Sequence, residues 1–290
     1  MEKLGFIGLG VMGGHMARHL SKKYDLIVFD VDEKRMDALD GAKKAGSVEE
    51  VGTEAGVVVL SLPSSQIVSK VVAGDEGLSG VIKAGGAVID TSTTEPTVSR
   101  SLAEELAGKG IDFLDAPVSG GEGAAKDATL SLMVGGPQSV FDKYKEIFEV
   151  IGKSVVHVGA TGAGGVAKLV NNMIVGSAFA VIAESFALGM KNGLDPAVLY
   201  DAIKDGWAGS KVLDVAIPGT INRDFVPGGS VDIHVKDLGY ALSLAGSADV
   251  PVPMTAMANE IFKAAKASGR GPYAQHIIIQ LWEELLGIDA

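Results

Sequence analysis

The stretch "KLGFIGLGVMGGHMARHL", residues 3–20, sets three glycines between a short apolar run and a helix-like segment. Glycine weakens both strands and helices, so three of them at one junction imply a backbone that something must approach closely. Gly8-Leu9-Gly10-Val11-Met12-Gly13 fits G-x-G-x-x-G, after a predicted strand and opening a predicted helix over 11–22. In that pattern the first glycine permits a tight turn and the second lets the backbone reach a pyrophosphate. The third allows close helix–strand packing. A helix N-terminus then offers unpaired N–H groups to the negative charge. Gly8, Leu9, Gly10, Met12 and Gly13 are therefore the expected dinucleotide turn.

The next apolar run, "LIVFD", ends in Asp30, twenty-two residues after Gly8. A carboxylate there can accept hydrogen bonds from both ribose hydroxyls of NAD. A 2′-phosphate would face that carboxylate, and Val31 beside it offers no guanidinium. NAD is expected, with NADP the alternative because Lys34 and Arg35 follow closely. "SLPSS", 61–65, follows a later strand; it either sets Leu62 and Pro63 against the cofactor or forms an ordinary turn.

Outward from this motif the first half alternates. "VVVLSL", "GAVIDTS", "IDFLDAPV", "LSLMVGG" and "KSVVHVG" read as strands, separated by stretches of helical period such as "EPTVSRSLAEELAGKG". Apolar strands alternating with helices imply a parallel sheet covered on both faces. Past residue 160 the strand signals stop. A helix of about thirty residues, about 45 Å long, is expected to Gly193, and Asp195-Pro196 caps and opens the next. Further helices are expected near "PAVLYDAIKDG", "VKDLGYALSLAG", "TAMANEIFKAAKASG" and "AQHIIIQLWEELLG". The expected α/β architecture is a Rossmann-type domain over 1–161, an interdomain helix over 162–193 and an all-helical domain over 194–290.

Composition narrows the classes. The 290-residue chain carries a net charge of −11 and no long Lys/Arg run, which argues against nucleic-acid or anionic-lipid partners. It has no cysteine, which excludes disulfides, thiolate nucleophiles and sulfur-bound zinc. His15 and His19 share a helix face but lack a carboxylate at fitting spacing, so no metal site is expected. The glycine turn begins at residue 8, leaving no room for a leader peptide ahead of it. The longest apolar run, Met173 to Ala183, is too short to span a bilayer and reads as a buried helix. The expected address is cytoplasmic.

A nicotinamide enzyme must still carry a proton and hold its substrate. Lys168 in "GAGGVAKLVNNM" lies early in the long apolar helix, with Asn172 four residues on and on the same face. Apolar flanks at a domain junction would partly desolvate the lysine and lower its pKa toward acid–base use; a lysine snorkelling from a buried helix is the plainer alternative. "DAPVSGG", 115–121, turns through Ser119, Gly120 and Gly121, either as a nest suited to a carboxylate or as a plain glycine turn. In "HVKDLGYAL", Lys236 could reach nicotinamide or substrate, and Asp237 is expected beside it at the cofactor, with stabilisation of the first turn of its helix as the plainer alternative.

These four segments, in this order and spread over the whole length, resemble the β-hydroxyacid dehydrogenases. The resemblance implies that Lys168 protonates an aldehyde oxygen on reduction and that Asn172 positions the substrate. It implies that Ser119, Gly120 and Gly121 hold the substrate carboxylate, and that Lys236 lies beside the nicotinamide with Thr93 of "DTSTTEP" near the same ring. Glu95 stands where the family commonly has serine. "GWAGSKVLD" and "NRDFVPGGSVDIHVKDL" look more like the tartronate semialdehyde reductases than the 3-hydroxyisobutyrate dehydrogenases. Succinic semialdehyde, glyoxylate and sulfolactaldehyde reductases are the further alternatives. A non-catalytic cofactor-binding module is the reading from a different class. A small carboxylate-bearing aldehyde or hydroxy acid is the expected ligand, and a homodimer or homotetramer the expected assembly.

Overall fold

The computed structural model describes residues 3–288. Along the first unit run β1 (Lys3–Ile7), α1 (Val11–Leu20), β2 (Asp25–Phe29), α2 (Glu33–Asp37), β3 (Lys43–Lys44) and α3 (Val48–Glu54). Next come β4 (Val57–Leu60), α4 (Ser65–Ala73), β5 (Ala87–Asp90), α5 (Pro96–Ala107) and β6 (Asp112–Asp115). They are followed by β7 (Val118–Ser119), α6 (Gly121–Lys126), β8 (Leu130–Gly135), α7 (Gln138–Ile151) and β9 (Gly152–Gly159). The strand order is β3-β2-β1-β4-β5-β6-β8-β7, with β9 on β8. The first six strands are parallel. Chain order reverses between β1 and β4, the switch point at which doubly wound sheets leave a crevice outside their strand ends.

The sheet is not wholly parallel. β8 runs antiparallel to both β6 and β7. The connection from β6 to β8 contains only a two-residue strand and a six-residue helix. These turn the chain back along one edge and do not carry it across a face, as a parallel crossover would require. Two apolar clusters fill the two sides of the sheet, one around Phe6, Met16, Leu26 and Phe148, the other around Ile27, Val58, Leu60 and Leu106.

α8 (Ala163–Lys191) follows, then α9 (Pro196–Ile203), α10 (Lys211–Ile221), α11 (Val231–Ser247), α12 (Pro253–Ala265) and α13 (Gln280–Leu286). The chain divides into two compact units between Lys168 and Leu169, inside α8. The first turn of α8 is tied to the first unit: a Cβ on Gly164 would overlap the carbonyl oxygens of Asp115 and Met133, and one on Gly165 would lie 3.1 Å from that of Thr94. Further on, Phe179, Ala183 and Phe186 join Leu213, Ile217 and Phe262 in the core of the second unit. α10 is an addition to the expected helices. Pro218 lies inside it, and the helix persists because Ser210 caps it and Leu213, Ala216, Ile217 and Thr220 bury one face.

α8 is also less buried than an interior helix. By length and composition it could cross a bilayer, with a mean hydropathy of 1.8, and only 33% of that window is buried within one chain. Val170, Ile174, Val181 and Leu188 are exposed, and at about 100° per residue they form one stripe. Lys168, Asn172, Phe179, Ala183 and Phe186 occupy the opposite side of the helix.

The start of α8 depends on one side chain. Gly162 N–H donates to Asp115 Oδ1 at 2.8 Å and Gly165 N–H to Oδ2 at 2.9 Å. Asp115→Ala would strip two buried N–H groups of their acceptor, so urea unfolding should show a loss of about 2–4 kcal/mol. Asp115→Asn, which keeps one acceptor, should lose less.

Candidate active site

The first glycine turn is built by packing at two positions and by vacancy at the third. Gly8 has φ +95°, and a Cβ there would overlap the Ser61 carbonyl oxygen; one on Gly13 would overlap that of Gly8. Both glycines are required by the fold itself. A Cβ on Gly10 would meet only Arg35 Nη1, at 3.8 Å. Gly10 is the N-cap of α1, with no side chain capping it. Open space above uncapped N–H groups at the start of a ten-residue helix fits a diphosphate.

Asp30 closes this turn from β2. Its Oδ2 accepts the Leu9 N–H at 2.6 Å and its Oδ1 the Asp32 N–H at 2.9 Å. The carboxylate therefore holds the turn in place as well as standing where a ribose is expected. Arg35, close by in the sequence, reaches this point: its Nη1 lies 3.6 Å from Asp30 Oδ2.

The loops after β4 and β5 are joined through another buried acid. Asp90 accepts from Ser92 N–H at 2.9 Å and from Thr94 Oγ1 at 2.6 Å, and Ser92 Oγ in turn accepts the Leu62 N–H at 2.8 Å. Glu95 N–H donates to Ser65 Oγ at 3.0 Å. Thr93 is thus held, half-buried, between two anchored neighbours, and the Ser92 bond ties it to the loop of Leu62 and Pro63. Burial pushes the Asp90 carboxyl up to about 6, against the pull of its hydrogen bonds, and Asp115 adds to the rise. These two acids are register partners on β5 and β6. Burial raises Asp115 too, opposed by N–H groups of the α8 start.

Ser119 ends β7, and the chain then passes through Gly120 (φ +134°) and Gly121 (φ +70°) into α6. A Cβ on Gly120 would lie 2.6 Å from that of Ala124. His15 and His19, the helix-face pair of α1, both contact α6. His15 Nε2 lies 3.4 Å from Glu122 Oε1, and His19 Nε2 2.8 Å from the Lys126 carbonyl oxygen.

Lys168 is half-buried in the second turn of α8. One turn further on, Asn172 is buried, and its Nδ2 donates to Asp237 Oδ2 at 2.6 Å. Asn171 Nδ2 donates to Asn172 Oδ1 at 2.9 Å, so both ends of the amide are assigned. Asp237 Oδ1 pairs with Lys236 Nζ at 2.7 Å, and that ammonium lies 4.9 Å from the Tyr240 ring centroid. Asp237 is not a first-turn acid. α11 starts at Val231, where Ser230 caps the Ile233 N–H, so Asp237 sits mid-helix and buried.

The residues that sequence reasoning passed over are Asp90, Ser92, Thr94 and Asp115. A usable signal existed for the two acids. Each ends an apolar strand, and a carboxylate in that setting must find buried donors.

The comparisons bear on the same two regions. Residues 3–159 match the family model described as the NAD binding domain of 6-phosphogluconate dehydrogenase. Residues 162–282 match that described as NAD-binding of NADP-dependent 3-hydroxyisobutyrate dehydrogenase. The chain is 38% identical to 2-(hydroxymethyl)glutarate dehydrogenase of Eubacterium barkeri over 99% of its own length and 97% of that protein's. It is 34% identical to 2-hydroxy-3-oxopropionate reductase of Escherichia coli over 97% of each. The structure of Mycobacterium tuberculosis 3-hydroxyisobutyrate dehydrogenase with L-serine superposes with a TM-score of 0.87 at 30% identity, covering 97% of this chain and 99% of that one.

The different reasons for the glycines can be separated by substitution. Gly10→Ala should leave stability within about 1 kcal/mol, since its Cβ meets nothing closer than van der Waals contact, while weakening NADH binding by about tenfold or more. Gly13→Ala should cost about 2 kcal/mol or more in stability. Thermal denaturation and NADH fluorescence titration on both variants check the split.

Proposed function

Because the chain belongs to the β-hydroxyacid dehydrogenase family, we propose that it interconverts a small semialdehyde acid and its hydroxy acid with NAD(H), Lys168 carrying the proton. The observation that supports this best is the arrangement on α8: Lys168 and Asn172 share one face, and Asp237 fixes the Asn172 amide. A non-catalytic cofactor-binding module would have no use for that order.

When bound, the nicotinamide supplies or accepts the hydride. Lys168 Nζ donates a proton to the aldehyde oxygen on reduction and takes it back from the hydroxyl on oxidation. Asn172 has one N–H committed to Asp237; its second N–H orients the substrate oxygen. Successive N–H groups of Ser119, Gly120 and Gly121 receive the carboxylate, as left-handed glycines at 120 and 121 favour. Lys236, neutralised by Asp237 and resting on Tyr240, contributes its stem and charge beside the ring. Asp237 acts through its two partners.

The names of the relatives suggest what varies in the substrate. 2-Hydroxy-3-oxopropionate, 3-hydroxyisobutyrate, L-serine and 2-(hydroxymethyl)glutarate all contain a propanoate unit with oxygen on C3 and a different group on C2. We take the substrate to be a member of this class. "GWAGSKVLD" and "NRDFVPGGSVDIHVKDL" favour a C2 hydroxyl, that is, tartronate semialdehyde. The higher identity to the 2-(hydroxymethyl)glutarate enzyme, 38% against 34%, favours a C2 carboxyethyl group as the second reading. A cytoplasmic address belongs to the same proposal, since one side of α8 is committed to a protein core.

Lys168→Met should lower kcat by about 10²–10⁴-fold and leave the NADH dissociation constant nearly unchanged; surviving turnover would remove Lys168 from its role. The substrate is found by assaying NADH oxidation against tartronate, methylmalonate and succinic semialdehydes, 2-formylglutarate and sulfolactaldehyde, with kcat/KM deciding.

The exposed α8 stripe of Val170, Ile174, Val181 and Leu188 supports a homodimer or homotetramer, because contiguous apolar surface of this kind is usually covered. Sedimentation velocity at micromolar concentration should show a species larger than the monomer; a monomer alone would count against it.

A further inference from the structure

His234 has no part in the reaction proposed above, although it lies on α11 three residues before Asp237 and on the same face. It is buried, 3% exposed. Its ring stacks on Phe262 of α12, with centroids 4.9 Å apart, and meets Phe179 of α8 edge-on at 6.0 Å. Apolar packing alone would be served by a phenyl ring. An imidazole adds polar atoms, and Nδ1 is engaged: Gln275 Nε2 donates to it at 2.8 Å. An amide nitrogen can only donate, so Nδ1 accepts and the ring proton sits on Nε2.

Gln275 is itself fixed to the start of α11. Its backbone N–H donates to the Gly229 carbonyl oxygen at 3.2 Å, and that of Ala274 to Phe225 at 3.0 Å. In return the N–H groups of Val231 and Asp232 donate to the carbonyl oxygens of Tyr273 and Gly271, at 2.9 and 3.0 Å. The Gln275 amide packs on Gly229, where a Cβ would stand 2.7 Å from Nε2.

On its other side the ring touches α8. A Cβ on Gly176 would lie 2.9 Å from His234 Cδ2 and 3.1 Å from Leu238 Cδ1, so α11 approaches α8 closely where residue 176 has no side chain. Gly176 stands one turn beyond Asn172, on the same face. Asn172 is where Asp237 makes its 2.6 Å bond. His234 at Gly176 and Asp237 at Asn172 are therefore successive contacts between the same two helices. A shift at the first moves the second, and a hydrogen bond does not survive a slip of about an ångström.

We propose that Gln275 and His234 form a positioning pair: the amide holds the imidazole against Gly176, and the imidazole sets the spacing of α11 on α8 that brings Asp237 to Asn172. The proposal rests on the reading that Asn172 orients the substrate.

Gln275→Leu keeps the bulk of a half-buried side chain and removes the donor. It is assayed with NADH and the semialdehyde that the panel above selects, tartronate semialdehyde on our reading, both alone and combined with Asn172→Ala. Alone, it should lower kcat by about tenfold or more. The NADH dissociation constant should stay within about threefold of wild type, and the thermal midpoint within about 4 °C. Asn172→Ala should also lower kcat, and adding Gln275→Leu to it should cost less than about threefold more, because the pair acts through that amide. The proposal is overturned if Gln275→Leu keeps kcat within about threefold of wild type. It is equally overturned if the NADH dissociation constant or the thermal midpoint moves beyond those bounds, or if the two losses multiply in the double variant. In those cases Asn172 keeps its role. Wild-type kcat in Asn172→Ala, or a wild type inert towards every semialdehyde of the panel, would overturn the proposal together with the reading beneath it.

Discussion

The carboxylate of Asp115 at the beginning of α8 is the contact on which the remaining arrangement depends. A buried acid is costly, and burial does raise its pKa. The cost is offset by N–H groups of Gly162 and Gly165 and by the positive end of a 29-residue helix. The surroundings leave no slack. A Cβ on Gly135 would lie 2.5 Å from Asp115 Oδ1, so strand, acid and helix start form one close-packed joint. Lys168 follows six residues after the first of those N–H groups. A helix transmits position rigidly over so short a span, and the proton transfer proposed for this lysine needs that rigidity.

Asp90, the register partner of Asp115, does the same for loops that Asp115 does for a helix. Both acids stand at the carboxyl ends of adjacent strands, and each converts an irregular segment into a fixed one by accepting its donors. Their proximity raises the pKa of Asp90 further. The sheet thus carries two neighbouring buried carboxyl groups at the strand ends, where loops of the first unit begin. Asp30, directly after β2, follows the same plan with Leu9 and Asp32.

Much of this was legible in the residues alone, and the exceptions share a cause. The glycine turn, the strand–helix alternation and the long helix are local signals, written in spacing and period, and they appear where expected. What was missed depends on partners distant in sequence. Nothing local shows that β8 would run antiparallel to β6, because the short 116–129 connection reads equally well as a loop. α10 contains Pro218, a local breaker overruled by burial of Leu213 and Ile217. The start of α11 at Val231 moved Asp237 from a helix end to its middle and gave it a partner 65 residues away. Arg35 was visible as a nearby cation, but its reach to Gly10 was not.

α8 is anchored at one end by Asp115 and locked at the other by Phe179, Ala183 and Phe186. Between these fixtures the tally of residues is as constrained as their chemistry. Adding or deleting one would twist the two ends by about 100° relative to each other, swinging the amine away from the aromatic side and bringing the outer apolar row around in its place. The number of residues between Gly162 and Phe186, and not their chemistry alone, therefore decides which side of the helix the amine shares.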